Sequence, residues 1–166
     1  MKNNRLLYSL LGLVLVLLVG YTVAKKQGWV GKPTGVEVLV AKARAGAEFA
    51  VTQLFLDAAA YTALVSRVRA HGCDLPIIPG IMPITSLAQL RRFAELSGVA
   101  VPQRIEQRLT ALGDDPAAVR AEGLAIAIEL CRELLDADAP GLHFYTLNRS
   151  TATLEIYEAL GIDAAV

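Results

Sequence analysis

Short apolar segments alternate with amphipathic segments along the chain, and this order constrains the fold more than any other feature of the sequence. Strands are predicted at residues 49–55 and 75–78, and helices at residues 58–70 and 87–96. Strands that are separated by a helix lie parallel in a sheet, because the helix returns the chain to the edge where the previous strand began. The pattern therefore predicts an α/β protein with a parallel sheet.

Two inserted helices and a third strand–helix unit follow. One helix is predicted to begin at Pro102, and another at Asp115 with a proline in its first turn. A strand at residues 142–147 then leads into a helix at residues 152–160. Three glycines stand where helices are expected to end: Gly72, Gly98 and Gly161. A closed (β/α)8 barrel needs eight strands and about 250 residues, so three such units cannot close one.

Residues 6–24 form an uncharged stretch of nineteen residues in which Leu and Val dominate. A membrane-spanning helix needs about 20 apolar residues, whereas the core of a cleaved signal peptide usually has about 7–15, so we predict one N-terminal transmembrane helix. Basic residues flank both ends and do not define its orientation. Residues 25–34 are polar and contain two glycines and a proline, so we predict a domain boundary between residues 1–34 and residues 35–166.

The composition does not indicate a binding partner. The sixteen basic residues balance the sixteen acidic ones, so no basic field indicates nucleic acid. Cys73 and Cys131 lie far apart without the spacing of zinc ligands, and we expect buried or neutral thiols and no metal site. His71 and His143 are isolated, which favours structural roles.

The sequence GLHFYTLNRS at residues 141–150 joins an aromatic strand to the start of a helix. Asn148 and Ser150 are both suitable N-caps, so Arg149 is predicted to lie at the junction. Ligands of parallel α/β proteins bind at the carboxyl ends of the strands, where an Arg can hold an anionic or carbonyl-bearing group. The alternative is an exposed Arg at a helix start that has no partner.

This stretch resembles the C-terminal motif of the methylenetetrahydrofolate reductases, a family of FAD-containing (β/α)8 barrels. Two further motifs match the family in order and spacing: AGAEFAVTQLFLD at residues 45–57 and PIIPGIMPI at residues 76–84. The resemblance runs from about Lys42 to the C-terminus and implies a partial TIM barrel, consisting of the last three βα units with inserted helices. Residues 1–34 are instead similar to the start of a membrane-anchored envelope protein.

The resemblance implies ligand contacts for three residues. Gln53 corresponds to a Gln that contacts the folate pterin, and its place late in a strand predicts a buried amide that needs hydrogen-bond partners. A structural amide between strands is the alternative. Arg149 corresponds to an Arg that contacts substrate. Lys42 corresponds to a Lys that approaches the FAD phosphates, although a solvated surface Lys fits its position equally well.

Gln89 and Phe93 each have two interpretations. Gln89 corresponds to a folate-contacting Gln, but with Ser86 it also fits a capping box, in which Ser86 caps the helix and Gln89 reaches back to the amide of Ser86. Phe93 corresponds to an aromatic residue that stacks on folate or nicotinamide. Periodicity instead assigns Phe93 to an apolar stripe with Leu90 and Leu96.

The implied activity is that of an oxidoreductase in which NAD(P)H reduces FAD and the flavin passes hydride to 5,10-methylenetetrahydrofolate, giving 5-methyltetrahydrofolate. In the family, the acid that protonates the folate nitrogen lies on an early strand that has no counterpart here. The catalytic residues are therefore unknown, and the chain is expected to be incomplete as an enzyme unless self-association supplies further strands. The alternative is a non-catalytic, membrane-tethered fusion or truncated remnant.

The two parts of the chain imply different locations. The family's reduced folates, FAD and NAD(P)H are used in the cytoplasm, whereas an N-terminal membrane anchor at residues 6–24 often exports the segment that follows it. Only an anchor that leaves residues 35–166 in the cytoplasm is compatible with reductase activity.

Overall fold

The computed structural model describes residues 35–146, 148 and 151–161. The chain divides into two compact units, Met1–Val38 and Leu39–Val166, of which the second contains the sheet. The described elements are α1 (Gly35–Arg44), β1 (Ala50–Leu54), α2 (Ala58–Ala70), β2 (Ile77–Ile81), α3 (Leu87–Ser97), α4 (Gln103–Thr110), α5 (Pro116–Asp136), β3 (His143–Phe144) and α6 (Thr151–Leu160). The strands form one parallel sheet in the order β1-β2-β3. The predicted α/β class and parallel sheet are confirmed, and the arrangement is consistent with part of a barrel.

Helix N-caps explain why the helix starts were predictable. The side chains of Asp57, Ser86 and Asp115 accept hydrogen bonds from amides in the first turns of α2, α3 and α5. Gly98 ends α3 in the left-handed conformation with φ 66°, as a helix C-cap requires. These are local signals, and they are the parts of the fold that the sequence predicted best.

Two strands differ from their predicted bounds. β2 runs through Pro79 and Gly80, residues that made the predicted strand end at residue 78. β3 contains only two residues of the predicted 142–147, although the Tyr145 amide also donates to the Ile81 carbonyl at 2.8 Å. Asn148 has a φ of 60° and lies three residues before α6 begins, so it does not directly precede the helix as an N-cap would.

Helix α1 was not predicted. Its residues include three valines, whose branched side chains favour strands over helices, and this masked the helical pattern. Lys42 lies in the last turn of α1 with its side chain exposed.

Helix α5 lies at the centre of the helical layer and contacts α2, α4, α6 and β2. Its close approach to the loop after β2 depends on Gly123, because a Cβ atom there would collide with the Ile84 carbonyl oxygen. The β2 side chains Ile77 and Ile81 are each 1% exposed. One face of the sheet is therefore closely packed.

The other face of β1 is open. In the sheet register Ala50 pairs with Ile77 and Val51 with Ile78, so Val51 points away from the face that Ile77 occupies. The side chains of Phe49 and Val51 are 57% and 41% exposed. Within the described residues, β1 pairs with one strand only and forms an edge of the sheet.

Both cysteines are buried free thiols, as expected. Burial raises the pKa of Cys131 to about 12. His71 is exposed, and its Nδ1 lies 2.8 Å from the Arg67 carbonyl oxygen. His143 is exposed as well, and its ring meets that of Tyr145 edge-on with the ring centroids 4.9 Å apart.

Among the described helices, none has both the length and the apolar composition needed to cross a membrane. The transmembrane helix predicted at residues 6–24 lies outside the described residues.

Candidate functional site

A cleft of about 840 Å³ opens at the carboxyl ends of β2 and β3. Its walls are the loop that follows β2, the start of α3, α5 at Arg120, the segment that follows β3, and the first residues of α6. In parallel α/β sheets this edge is where ligands bind, and a concave site of this volume is in the range of small-molecule pockets. We therefore treat it as the candidate ligand site.

A β-bulge at Thr52 and Gln53 shapes the sheet beside this cleft. The pairing of β1 with β2 slips between Val51 and Leu54, and the Thr52 hydroxyl replaces part of the ladder: it accepts from the Gly80 amide at 3.0 Å and donates to the Gln53 carbonyl at 2.7 Å. Bulges of this kind bend the strand and change the direction of nearby side chains. Val51 and Gln53 are nevertheless both exposed and alternate with the half-buried Ala50 and Thr52.

Tyr145 connects the bulge to the cleft. Its hydroxyl donates to the Thr52 carbonyl at 2.8 Å, and its ring lines the cleft. The ring passes so close to Gly80 that a Cβ atom on Gly80 would lie 2.6 Å from Tyr145 Cε2 and 2.7 Å from the Thr52 oxygen. Glycine at position 80 is thus required for the ring to lie across β2.

Gln89 lines the cleft and is held from one side. Its side-chain Oε1 accepts from the Thr85 backbone amide at 2.9 Å and from the Thr85 hydroxyl at 2.7 Å. The backbone amide of Gln89 donates to Ser86 Oγ at 3.1 Å. The Ser86 cap is confirmed. The second half of the predicted capping box is wrong by one residue, because Gln89 reaches the amide of Thr85 rather than that of Ser86.

These bonds orient the Gln89 amide. With Oε1 occupied by Thr85, the Nε2 group has two donor hydrogens that no described residue accepts. Among the described residues, the Nε2 group of Gln89 is therefore an unused hydrogen-bond donor at the cleft wall.

Phe93 lies between the core and the cleft, and its stacking on a ligand stays a prediction. It packs against the buried cluster that includes Leu54, Leu90 and Ile105, and it also lines the cleft. Leu96, predicted on the same apolar stripe, is 68% exposed, so the stripe ends at Phe93. A ring that is backed by core residues on one side is a rigid surface for stacking on the other.

Arg120 is held at the cleft by an ion pair between α5 and α6. Glu155 accepts from Arg120 Nη2 at 2.7 Å and from Nη1 at 3.1 Å. These hydrogen bonds raise the pKa of Arg120 and lower the pKa of Glu155 from their usual values. Arg120, Thr85 and Tyr145 were not singled out from the sequence, because their positions in the cleft depend on contacts between distant elements.

The other predicted contacts lie elsewhere. Gln53 was expected to be a buried amide, and this is wrong: its side chain is exposed on edge strand β1 and is not part of the cleft wall. Lys42 is also absent from the described cleft wall. Arg149 lies outside the described residues.

Parallel strands with a cleft at their carboxyl edge define the chain as an α/β protein with a candidate small-molecule site. The family model described as "Methylenetetrahydrofolate reductase" matches residues 31–161. The chain belongs to the methylenetetrahydrofolate reductase family, as its motifs indicated.

Individual relatives agree with this assignment. Methylenetetrahydrofolate reductase 1 of Schizosaccharomyces pombe is 43% identical over 117 residues, covering 70% of this chain and 19% of the relative. Methylenetetrahydrofolate reductase 2 of Saccharomyces cerevisiae is 42% identical over 127 residues, covering 76% and 21%. The 5,10-methylenetetrahydrofolate reductase of Escherichia coli is 35% identical over 121 residues, covering 73% and 41%. The matched part of the chain thus spans less than half of each of these relatives.

Proposed function

We propose that this chain forms the folate-binding part of a methylenetetrahydrofolate reductase, which reduces 5,10-methylenetetrahydrofolate to 5-methyltetrahydrofolate at the expense of NAD(P)H. Membership of the family supports the proposal. The observation that carries it is that Gln89 and Phe93, two residues whose positions in the family motif imply folate contacts, line the same cleft.

The two side chains offer complementary interactions. Because Thr85 occupies Gln89 Oε1, the Nε2 group of Gln89 would donate to a carbonyl or ring nitrogen of the folate. The Phe93 ring, backed by the core, would stack on a flat aromatic part of the same molecule. Binding and orienting the folate are the steps that the described residues can perform.

FAD would supply the hydride chemistry in the proposed reaction. The described residues do not form a site that fits it. Lys42, the one residue expected near the FAD phosphates, is exposed at the end of α1 and does not belong to the cleft wall. We therefore assign substrate binding to this part of the chain and propose that flavin binding and proton transfer require additional strands of the reductase.

Gln53 and Arg149 remain proposed substrate contacts. Gln53 lies on the open face of β1, where its exposed amide is available to a ligand that additional strands would enclose. Arg149 follows Asn148, which itself lines the cleft. Both assignments rest on the family motif.

We further propose that residues 6–24 anchor the chain in a membrane with residues 35–166 on the cytoplasmic side, where reduced folates are used. The family match begins at residue 31, beyond this apolar segment. Fractionation of cells that express the chain, followed by protease treatment of intact and opened membranes, tests the arrangement. Recovery of the chain in the soluble fraction would rule out the anchor, and digestion from outside would rule out the orientation.

A binding measurement tests the proposed function directly. We would titrate the purified full chain with 5-methyltetrahydrofolate and compare it with the Gln89→Ala and Gln107→Ala variants. Gln107 is an exposed glutamine of α4 and lies away from the cleft. Loss of one hydrogen bond to the ligand should weaken binding about 5- to 10-fold in Gln89→Ala. Gln107→Ala should bind as the unmodified chain does.

Failure would take two forms. No saturable binding to the unmodified chain would refute the folate site, and equal affinities for both variants would remove Gln89 from it.

Whether the chain is incomplete as an enzyme has its own test, which is expression of the chain in a methionine-requiring reductase mutant. Restored growth would show that this chain catalyses the whole reaction without additional strands.

The second candidate function is a non-catalytic, membrane-tethered protein derived from a reductase. The apolar segment that precedes the family match favours it. This candidate predicts a chain that is found at the membrane and does not bind folate, so the same folate titration distinguishes it from the first.

A further inference from the structure

Tyr145 reaches from the cleft to the edge strand β1. Its ring lines the cleft, and its hydroxyl donates to the Thr52 carbonyl at 2.8 Å, across the intervening strand β2. The ring passes over Gly80, where the absence of a side chain leaves room for it. Among the described side chains of the cleft wall, only that of Tyr145 hydrogen-bonds to β1. One side chain thus joins the cleft to a strand that is not part of its wall.

The Tyr145 hydroxyl belongs to the hydrogen bonding of the β-bulge at Thr52 and Gln53. The Thr52 carbonyl accepts from Tyr145, and the Thr52 hydroxyl accepts from the Gly80 amide at 3.0 Å. The same hydroxyl donates to the Gln53 carbonyl at 2.7 Å. Backbone pairing with Gly80 resumes at the Phe55 amide, which donates to the Gly80 carbonyl at 2.9 Å. The carbonyls on both sides of the Gln53 side chain are therefore held in place.

The position of Gln53 depends on this bulge. The pairing of β1 with β2 slips by one residue between Val51 and Leu54. Without the Tyr145 hydroxyl, the Thr52 carbonyl would lose a hydrogen bond in a partly buried place, which is unfavourable and would favour a return to regular pairing. A change of register by one residue turns a side chain to the other face of a sheet. Loss of the hydroxyl should therefore displace the Gln53 amide.

We propose that Tyr145 is a positioning residue, whose hydroxyl holds the bulge and thereby fixes Gln53 for folate binding. This inference rests on the proposed function, in which Gln53 is a substrate contact. The two parts of the Tyr145 side chain have different roles: the ring forms part of the cleft wall, and the hydroxyl acts on β1. The place of Gln53 on the open face of β1 is thus coupled to the cleft through Tyr145.

The experiment measures the affinity for 5-methyltetrahydrofolate in four forms of the full chain: unmodified, Tyr145→Phe, Gln53→Ala and the double variant. Tyr145→Phe keeps the ring in the cleft and removes only the hydroxyl. It should weaken binding about fivefold, and Gln53→Ala should weaken binding by a similar factor. The double variant should bind about as Gln53→Ala does, because the hydroxyl has nothing left to position once the amide is gone.

Tyr61→Phe is the matched control for the loss of a tyrosine hydroxyl. The Tyr61 hydroxyl donates to the Ile77 carbonyl of β2 at 2.9 Å, and Tyr61 is buried and not part of the described cleft wall. Both tyrosine variants lose a hydrogen bond to a strand carbonyl, so both should be less stable in urea. Only Tyr145→Phe should weaken folate binding. The affinity thus separates positioning from a general loss of stability.

Thr52→Val provides a second route to the same comparison if Tyr145→Phe does not fold. It removes the other hydroxyl of the bulge with little change of shape, and breaks the bonds to Gly80 and Gln53. It should weaken folate binding in the chain that has Gln53 and have no further effect in Gln53→Ala.

The remaining outcomes overturn the inference. An equal loss from Tyr145→Phe with and without Gln53 means that the hydroxyl acts on the ligand itself. Unchanged binding in Tyr145→Phe means that the bulge holds without it, and equal weakening in Tyr61→Phe means that stability alone is responsible. Unchanged binding in Gln53→Ala removes that contact and the inference, while the folate site stays. No binding to the unmodified chain refutes the folate site itself.

Discussion

The two faces of the parallel sheet differ in how completely they are covered. On the face packed by helices, Ile77 and Ile81 of the central strand are each 1% exposed. On the opposite face of the neighbouring strand, Phe49 and Val51 are 57% and 41% exposed, and Gln53 is exposed beside them. Within the described residues, the covered face is thus a protein core, whereas the open face exposes apolar side chains.

This difference bears on function because parallel sheets are normally buried on both faces. The cleft is built from elements of the well-packed side, including α3 and α5, and its wall is therefore defined. The residue expected to contact the pterin, Gln53, lies on the uncovered strand instead. The cleft and the open face of β1 are thus separate features of the described residues.

The largest expected effect on stability is that of a core substitution, compared with a substitution on the open face. Ile81→Ala should lower the free energy of unfolding by about 2–5 kcal/mol, because it opens a cavity beneath the helices. Val51→Ala should cost less than about 1 kcal/mol, since that side chain is already solvated. Urea unfolding of both variants measures the difference. A large cost for Val51→Ala would mean that this face of β1 is covered in solution.

The next largest effect on stability is expected where α5 packs closely against the loop after β2. Gly123→Ala should destabilise the fold by about 1–3 kcal/mol, because the added methyl group meets the Ile84 carbonyl on the covered side. Gly141→Ala is the matched control, since a Cβ atom there has no neighbour within 4 Å. Thermal unfolding compares the two. If they melted together, α5 would not pack against the loop that forms the cleft wall.

The Cys131 thiol on the covered side should make stability depend on alkaline pH. Its pKa rises from 9.0 to about 12 in the folded chain, so the folded state holds the proton more tightly than the unfolded state does. The free energy of unfolding therefore has its full value below about pH 9, where the thiol is protonated in both states. It falls as the pH rises toward 12, by up to about 1.4 kcal/mol per pH unit, because only the unfolded state loses the proton.

Denaturation at several pH values with two variants isolates this contribution. Cys131→Ala should flatten the decline between pH 9 and 12, whereas Cys73→Ala keeps Cys131 and should preserve it. Tyr61, whose pKa burial also raises, remains in both variants and cancels in the comparison. An unchanged slope in Cys131→Ala would indicate that this thiol is exposed to solvent.

The smallest effect concerns the edge of the cleft. Ser86→Ala removes the N-cap of α3 and should cost about 1 kcal/mol. Ser66 is exposed within α2, and Ser66→Ala should be neutral or slightly stabilising because alanine favours helices. Unfolding of both variants checks the cap. A neutral Ser86→Ala would mean that the bonds between Thr85 and Gln89 suffice to start the helix.

Parts of the site were accessible from sequence to different degrees. The family resemblance named Gln89 and Phe93, and both line the cleft. Their contacts with a ligand stay predictions. The expected burial of Gln53 is wrong because the face that it shares with Val51 is uncovered within the described residues, which strand alternation cannot reveal. Its contact with a ligand stays a prediction. Arg120 gave no signal, since its partner lies 35 positions away on another helix.

The sequence by itself determined the starts of α2, α3 and α5, the parallel α/β class and the family, because caps, periodicity and motifs act over a few neighbouring residues. Tertiary structure alone decided what meets at the cleft. The hydrogen bond from Tyr145 to Thr52 spans 93 positions, and Gly80 admits the Tyr145 ring only because β1 and β3 flank the same strand. Such contacts depend on how whole helices and strands pack against each other. That packing is selected by the burial of side chains that are distant in sequence, and local conformational preference does not decide it.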